Sequence, residues 1–306
     1  MRQWYLFVFN ILFVCLSQAQ DLHKFHYEEV HMGTLFKLTV YHSSDSVAYA
    51  ASQRAFARIA ELDSICSDYR LDSELSNISN TAYKTPVMLS KDIRFLLVES
   101  IKFNKQSDGI FSIVSGPLTK LWRKAIRRKE LPDKSTIERL LEYSQSSDII
   151  VNTESNTIQL LKENMRLDLG GIAKGYAVDE AFKVLRRFGI EAAVVDGGGD
   201  IYVGKSPTQE KWKVVVGNEI ITLEDYTAVA TSGPRYKYLT VGDTTHCHII
   251  DPRTGWGISK ANEVTVMTDK CYIADALATI LSIDNQIDLS HVYEYNVMIN
   301  QTENIK

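Results

Sequence analysis

The sequence predicts an α+β fold, and three observations carry that prediction. An alternating apolar and polar stretch near the start has strand periodicity, several later segments have helical stripes, and the two kinds of segment do not alternate regularly as a doubly wound sheet requires. The 306 residues, 45% of them hydrophobic, suffice for a large core built as one broad domain or two closely packed lobes. No internal repeat or low-complexity linker divides the chain.

The elements follow in order. The chain opens with Arg2 and an apolar run over residues 4–15, broken only by Asn10. A membrane span takes roughly 20 residues, so this run is too short to be one. Ser17 and Ala19 place small residues three and one before a cut, so residues 1–19 are expected to be a secretory signal and residues 20–306 an exported domain, periplasmic or in the cell envelope. Lipidation of Cys15 is the alternative, but Val14 stands where a small residue is expected. Loss of Arg2 with the signal takes the net charge from −4 to −5. That balance argues against nucleic acid or an anionic membrane as partner.

Residues 30–41, VHMGTLFKLTVY, alternate as one strand. Asp45 or Ser46 then caps a helix with the stripe Ala55, Ile59, Leu62 and Cys66. The polar segment 66–79 is expected to be a loop. Ser90 caps a second helix, with Ile93, Leu97 and Ile101 on one face and Gly109 at its end. Ser135 and Glu138 have capping-box spacing for a third. Residues 148–161 read as two short strands around a turn at Glu154, Ser155 and Asn156. Three cysteines remain after the signal, too few for a disulfide framework; one Cys247–Cys271 bond and three buried thiols with Cys66 are equally compatible with the sequence.

In LDLGGIAKGY (167–176), a short apolar strand is expected to end at Leu169, two glycines to turn, and a helix to run to about Phe188 with Gly189 as its stop. A helix N-terminus favours phosphate through its free N–H groups and its dipole, and Lys174 adds a full charge. Standing alone, such a block is a tight packing turn. In ADALAT (274–279), Asp275 and Thr279 are four apart, which puts both oxygens on one helix face, a hard-ligand pattern suited to Mg²⁺. Alone, it is a helix-start Asp followed by a back-bonded Thr. In THCHIIDPRTG (245–255), His246 and His248 would point the same way on a strand. VVDGGGDIYVG (194–204) supplies a glycine turn that lets backbone approach a ligand. Residues 120–130, KLWRKAIRRKE, hold six basic side chains, a solvated face or a dock for an acidic protein.

Taken in chain order, the LDLGGIAKGY, VVDGGGDIYVG, THCHIIDPRTG and ADALAT blocks, at this approximate spacing, resemble the flavin transferases of the ApbE family. The resemblance implies a T-fold-related, two-lobed α+β architecture with FAD in the cleft, and Mg²⁺-dependent transfer of FMN from FAD to a threonine hydroxyl of an acceptor flavoprotein, with release of AMP. By matching positions it implies metal ligation by Gly171 (through its carbonyl), Asp275 and Thr279. It implies flavin-nucleotide contacts at Met32, Tyr69, Ile110, Phe111, Ser112, Asp168, Lys174, Ser232, Gly233, His248 and Ile249. Lys174, Asp275 and His248 would serve catalysis, His248 by assisting proton transfer near neutral pH. Acceptors would be redox-complex subunits or domains carrying a short threonine motif, and a membrane would enter only through the acceptor's location or a lipid anchor. The chain departs from the family pattern at Ser112, Val114 and Pro234, which bears on pocket contacts and acceptor preference. FAD hydrolysis to FMN and AMP needs only water in place of threonine, and a non-catalytic FAD-binding protein is a third reading.

Overall fold

The computed structural model describes residues 21–217, 219–233, 238–241, 244–259 and 262–300, so the proposed signal and Pro234 lie outside the described residues. The strands β1 (His23–His31) and β2 (Thr34–His42) form a hairpin where one strand was expected. Met32 and Gly33 both take positive φ, 51° and 74°, the left-handed pair that a two-residue hairpin turn needs. In α1 (Asp45–Cys66) the predicted stripe is buried, but Ser44 is the cap, its hydroxyl accepting the Val47 N–H. The expected loop contains α2 (Glu74–Thr81), capped by Ser73, with Leu75 and Ile78 buried. Two apolar residues in one short helix are too few to show a period.

After β3 (Val87–Met88), α3 (Lys91–Gln106) starts at Ser90 as predicted, the Ser90 hydroxyl accepting the Ile93 N–H. Ile101 is half-exposed, and Leu96 and Phe103 complete the buried face in its place. The helices α4 (Gly116–Arg128) and α5 (Lys134–Leu141) follow. Asp133 holds the cap position of α5, so Ser135 falls inside the helix and the capping box is not formed. The hairpin of β4 (Ile149–Asn152) and β5 (Thr157–Leu160) is as expected, its turn held by Asn152 Oδ1, which accepts the Glu154 and Ser155 N–H groups.

The remaining elements are α6 (Ala173–Arg187), β6 (Ala193–Asp196), β7 (Asp200–Val203), β8 (Trp212–Val216), β9 (Glu219–Leu223), β10 (Thr227–Ser232), β11 (Tyr238–Val241), β12 (Thr244–Cys247), β13 (Glu263–Thr268), α7 (Cys271–Ile283) and β14 (Asn296–Asn300). The main sheet is antiparallel throughout, in the order β1-β2-β6-β7-β10-β13-β14. The helices α1, α6 and α7 cover one face. Phe36, Leu38 and Val40 of β2 point into that core, as do Ala228 and Ala230 of β10, whose small side chains let α7 lie close to the sheet. The hairpin β8–β9 covers the middle of the opposite face, where Val214, Val216 and Leu223 meet Ile201, Val203 and Val229. This is why β7 is buried on both sides. Each such aliphatic side chain contributes about 1.5–3 kcal/mol when fully buried.

A second, smaller core joins α4 and α5 to β11 through Leu118, Trp122, Ile137, Leu239 and Ile250. Trp122 Nε1 donates to the Gly255 carbonyl at 2.8 Å, tying α4 to the turn after β12. The mixed α+β prediction therefore holds, with a large sheet-and-helix core and a small satellite core beside it.

Candidate active site

The glycine-rich block forms the centre of the site. Residues 165–169 belong to no strand, which corrects the strand expected before the turn. Asp168 anchors the segment: its N–H donates to the Ile113 carbonyl, and its Oδ1 accepts the Gly170 N–H at 2.8 Å. The turn at Gly170 and Gly171 then leads into α6, which ends at the predicted place with Gly189 at a φ of 77°.

The turn brings Gly171 against α7. A Cβ on Gly171 would lie 3.1 Å from Thr279 Oγ1 and 3.2 Å from the Phe111 ring, so these three residues share one small space. One turn earlier in α7, Asp275 Oδ2 accepts the Gly175 N–H of α6 at 3.1 Å. Lys174 Nζ meets Asp200 Oδ2 at 2.6 Å, and Asp200 interacts electrostatically with neighbouring Asp275. The result is a cluster of the half-buried Lys174 with the buried Asp200 and Asp275 at the N-terminus of α6, on which Thr279 and Gly171 border.

Its electrostatics are those of a site short of positive charge. Burial raises the Asp275 carboxyl well above the carboxylate range, and neighbouring Asp200 raises it further against the pull of Lys174. Asp200 is raised for the same first reason. Burial works against the Lys174 ammonium, yet Asp200 and Asp275 together hold it above the ordinary lysine range. Two buried carboxylates sharing one ammonium make a surroundings that a hard cation would relieve.

The two helices are fixed to each other by buried contacts. Asp179 of α6 caps α7, its two oxygens accepting the Cys271 and Tyr272 N–H groups at 2.9 and 3.0 Å. A Cβ on Gly175 would fall 2.4 Å from the Cys271 carbonyl oxygen, so only glycine lets α6 approach α7 here.

The other predicted residues gather around this centre to differing degrees. Arg123 of α4 ion-pairs with both Asp168 and Asp68 and lies over the Tyr69 ring, 4.2 Å from its centroid. It thereby joins Tyr69 to Asp168. Ile110 and Phe111 are buried, and Ser112 is bonded to Ser146 at 3.3 Å. Val114, the second departure, is fully buried in the main core. Ser232 Oγ lies 3.3 Å from Ser282 Oγ, which bonds the Thr279 carbonyl, so the end of β10 abuts α7; Gly233 packs on Glu263. Met32 donates its N–H to Asp63. Its hairpin turn reaches the glycine loop before Asp200, since Gly198 leaves no room for a Cβ beside Thr34 Oγ1.

His248 lies just beyond β12 and is half-buried, while its neighbours Cys247 and Ile249 pack against Ile258 and Ile283 at the far end of α7. The expectation that His246 and His248 share one strand face fails, because β12 ends at Cys247. His246 instead turns to Trp122 and Trp256, ring centroids 5.3 and 5.6 Å away, with Nδ1 at 2.9 Å from the Gly257 carbonyl. Among the described residues, Cys66, Cys247 and Cys271 are free, buried thiols, so the disulfide alternative is not realised. Burial pushes Cys66 and Cys247 up to about 12.

Asp200, Arg123 and Asp179 are the residues that sequence reasoning missed. Asp200 carried one signal: a carboxylate entering the apolar strand Asp200–Val203 must find a buried partner. Arg123 was hidden in a run of exposed basic residues.

A family model described as "ApbE family" matches residues 32–296. Among curated relatives, the FAD:protein FMN transferase of Chlamydia trachomatis is 30% identical over 264 residues, covering 83% of each chain. That of Vibrio cholerae is 29% identical and covers 92% of this chain and 88% of its own. Among solved structures, a mutant of the flavin transferase ApbE from Vibrio cholerae superposes with a TM-score of 0.81 at 26% identity, covering 90% of this chain and 93% of that one. The ApbE protein from Thermotoga maritima, at 24% identity and a TM-score of 0.79, shares the fold. With the family model matching residues 32–296 and the likeness running through both cores, this chain belongs to the ApbE family.

Proposed function

We propose that the protein transfers FMN from FAD to a threonine hydroxyl of an acceptor protein, releasing AMP, in an Mg²⁺-dependent reaction outside the cytoplasm. The observation that carries this reading is the convergence of Gly171, Asp275 and Thr279 beside the half-buried Lys174. The donor set fits the metal: a carboxylate, a hydroxyl and a backbone carbonyl are hard oxygen ligands, and the carboxylates are short of positive charge. Gly171, Asp275 and Thr279 would hold it, and a bound Mg²⁺ would neutralise phosphate charge as a Lewis acid.

The chain's own residues do the rest. Lys174, positioned by Asp200, faces the developing charge on the pyrophosphate, since phosphoryl transfer is catalysed mainly by placement and electrostatics. Asp168, Tyr69 and Phe111 orient the flavin nucleotide. The threonine oxygen forms a bond to the FMN-side phosphorus as the anhydride bond to AMP breaks, and His248 or a nearby carboxylate takes the hydroxyl proton. Export is supported by the apolar run and small residues of segment 1–19, which leave residues 20–306 as one exported domain. No described helix is long and apolar enough to cross a membrane.

The test is incubation with FAD and Mg²⁺, with and without a threonine-bearing flavoprotein domain, following AMP release and acceptor mass. A metal-dependent gain of one FMN is expected. AMP and free FMN without labelling would instead make the protein a hydrolase, and tight FAD binding with no AMP a binding protein. Asp275→Ala should abolish AMP release, weaken FAD binding less, and remove any Mg²⁺-dependent rise in Tm; unchanged AMP release would refute the metal assignment.

A further inference from the structure

The outer side of α4 carries a charge that the proposed reaction does not use. Lys120, Lys124 and Arg127 follow one another at i, i+4 and i+7, while Leu118, Trp122 and Ala125 hold the inner side in the second core. Two concavities meet along this row. One, of about 460 Å³, is lined by Lys120, Lys124, Arg139 and Arg166 over an apolar floor that includes Leu121 and Tyr143, with no carboxylate in its lining. The other, of about 310 Å³, shares Lys120, Lys124 and Arg166 and adds Arg127, Arg123 and Tyr69. Its one acidic lining residue, Asp68, is already engaged by Arg123.

Cations from α4, α5 and the segment before the glycine turn thus converge on one groove in a protein of net charge −4. Among the described residues, Lys120, Lys124, Arg127, Arg139 and Arg166 make no ion pair with a carboxylate. A solvated helix face spreads its charges outward; here they point into shared concave space, where like charges repel unless an anion is present. The groove's inner end is Tyr69 and Arg123, and Arg123 also holds Asp168.

We propose that this groove docks an acidic, extended segment of the acceptor protein beside its flavin-receiving threonine, an inference that rests on the transferase reading above. Charge complementarity selects the occupant. The row from Lys120 to Arg127 runs about 10 Å along the helix, the length of about three extended residues. Carboxylates on such a segment meet the row, intervening side chains lie on the apolar floor, and the segment ends at Tyr69, next to the flavin site.

The full chain is tested with two threonine-bearing peptides, one flanked by Asp and Glu, the other by Asn and Gln. FMN transfer reads chemistry, and fluorophore-labelled copies read binding alone. The acidic peptide is expected to bind more tightly and to show a KM about tenfold lower at low salt, an advantage that shrinks as ionic strength rises. The double variant Lys124→Glu, Arg127→Glu should erase that advantage with kcat, FAD affinity and Tm unchanged. Lys124→Gln should move KM the same way by less, and stands in if charge reversal lowers Tm. Equal KM for the two peptides would overturn the proposal. So would loss of FAD affinity in the variants, which would assign the groove to the flavin, or tighter binding of phosphatidylglycerol vesicles or an oligonucleotide than of the acidic peptide. Binding of the acidic peptide that the variants abolish, with no FMN transferred to either peptide, would count against the transferase reading alone.

Discussion

Asp200 shows how one residue sets the state of another. Its carboxylate is buried against Lys174, so the ammonium keeps both its charge and a fixed position at the helix start. We expect Asp200→Asn to lower kcat about 10- to 100-fold, the usual cost of removing a partner that orients a working group, with a smaller change in KM for FAD. An unchanged kcat would make the pair purely structural. The residues around it differ in how legible they were. Lys174, Asp275 and Thr279 stand in blocks whose spacing alone suggests a helix N-terminus and a two-oxygen face. Asp200 is legible only as a buried charge in need of a partner, and no sequence spacing links position 200 to position 174.

At the scale of elements, the site depends on how closely α6 and α7 approach each other. Gly175 is the contact point, and Gly175→Ala would drive a Cβ into the Cys271 backbone, which cannot yield as a side-chain tip would. The expected loss is about 1–3 kcal/mol, read from the urea midpoint, together with reduced AMP release as Asp275 is displaced from the Gly175 N–H. Wild-type stability in this variant would show that the helices separate freely. Helix positions were largely legible because caps and stripes are local: Ser90, Gly189 and the α1 stripe all fall where periodicity puts them. The errors have local causes too. The β1–β2 turn uses Met32 in a left-handed conformation that a non-glycine residue rarely adopts, and α2 is too short to repeat its apolar face.

For the whole molecule, burial of acid groups makes stability depend on pH. Burial raises Asp179 from 3.8 to about 6, although two backbone N–H groups favour its charged form. The folded state therefore holds more protons than the unfolded chain between these values. The stabilisation is full below about 3.8 and is lost as pH rises through about 6. In urea titrations, the stability of the wild type relative to Asp179→Asn should fall as pH rises across that window; a difference independent of pH would refute the burial argument. The sequence by itself determined the α+β class, the family, the start of α3, the end of α6 and the buried stripe of α1, because propensity, capping and i, i+4 spacing act within a few residues. The tertiary structure alone decided that Asp200 lies against Lys174, that Arg123 bridges Asp68 and Asp168 while its neighbours line a basic groove, and that His246 turns to Trp122 and Trp256. Those contacts join residues from ten to more than a hundred positions apart, and their partners are chosen by chain topology and the burial of charge, which no local pattern records.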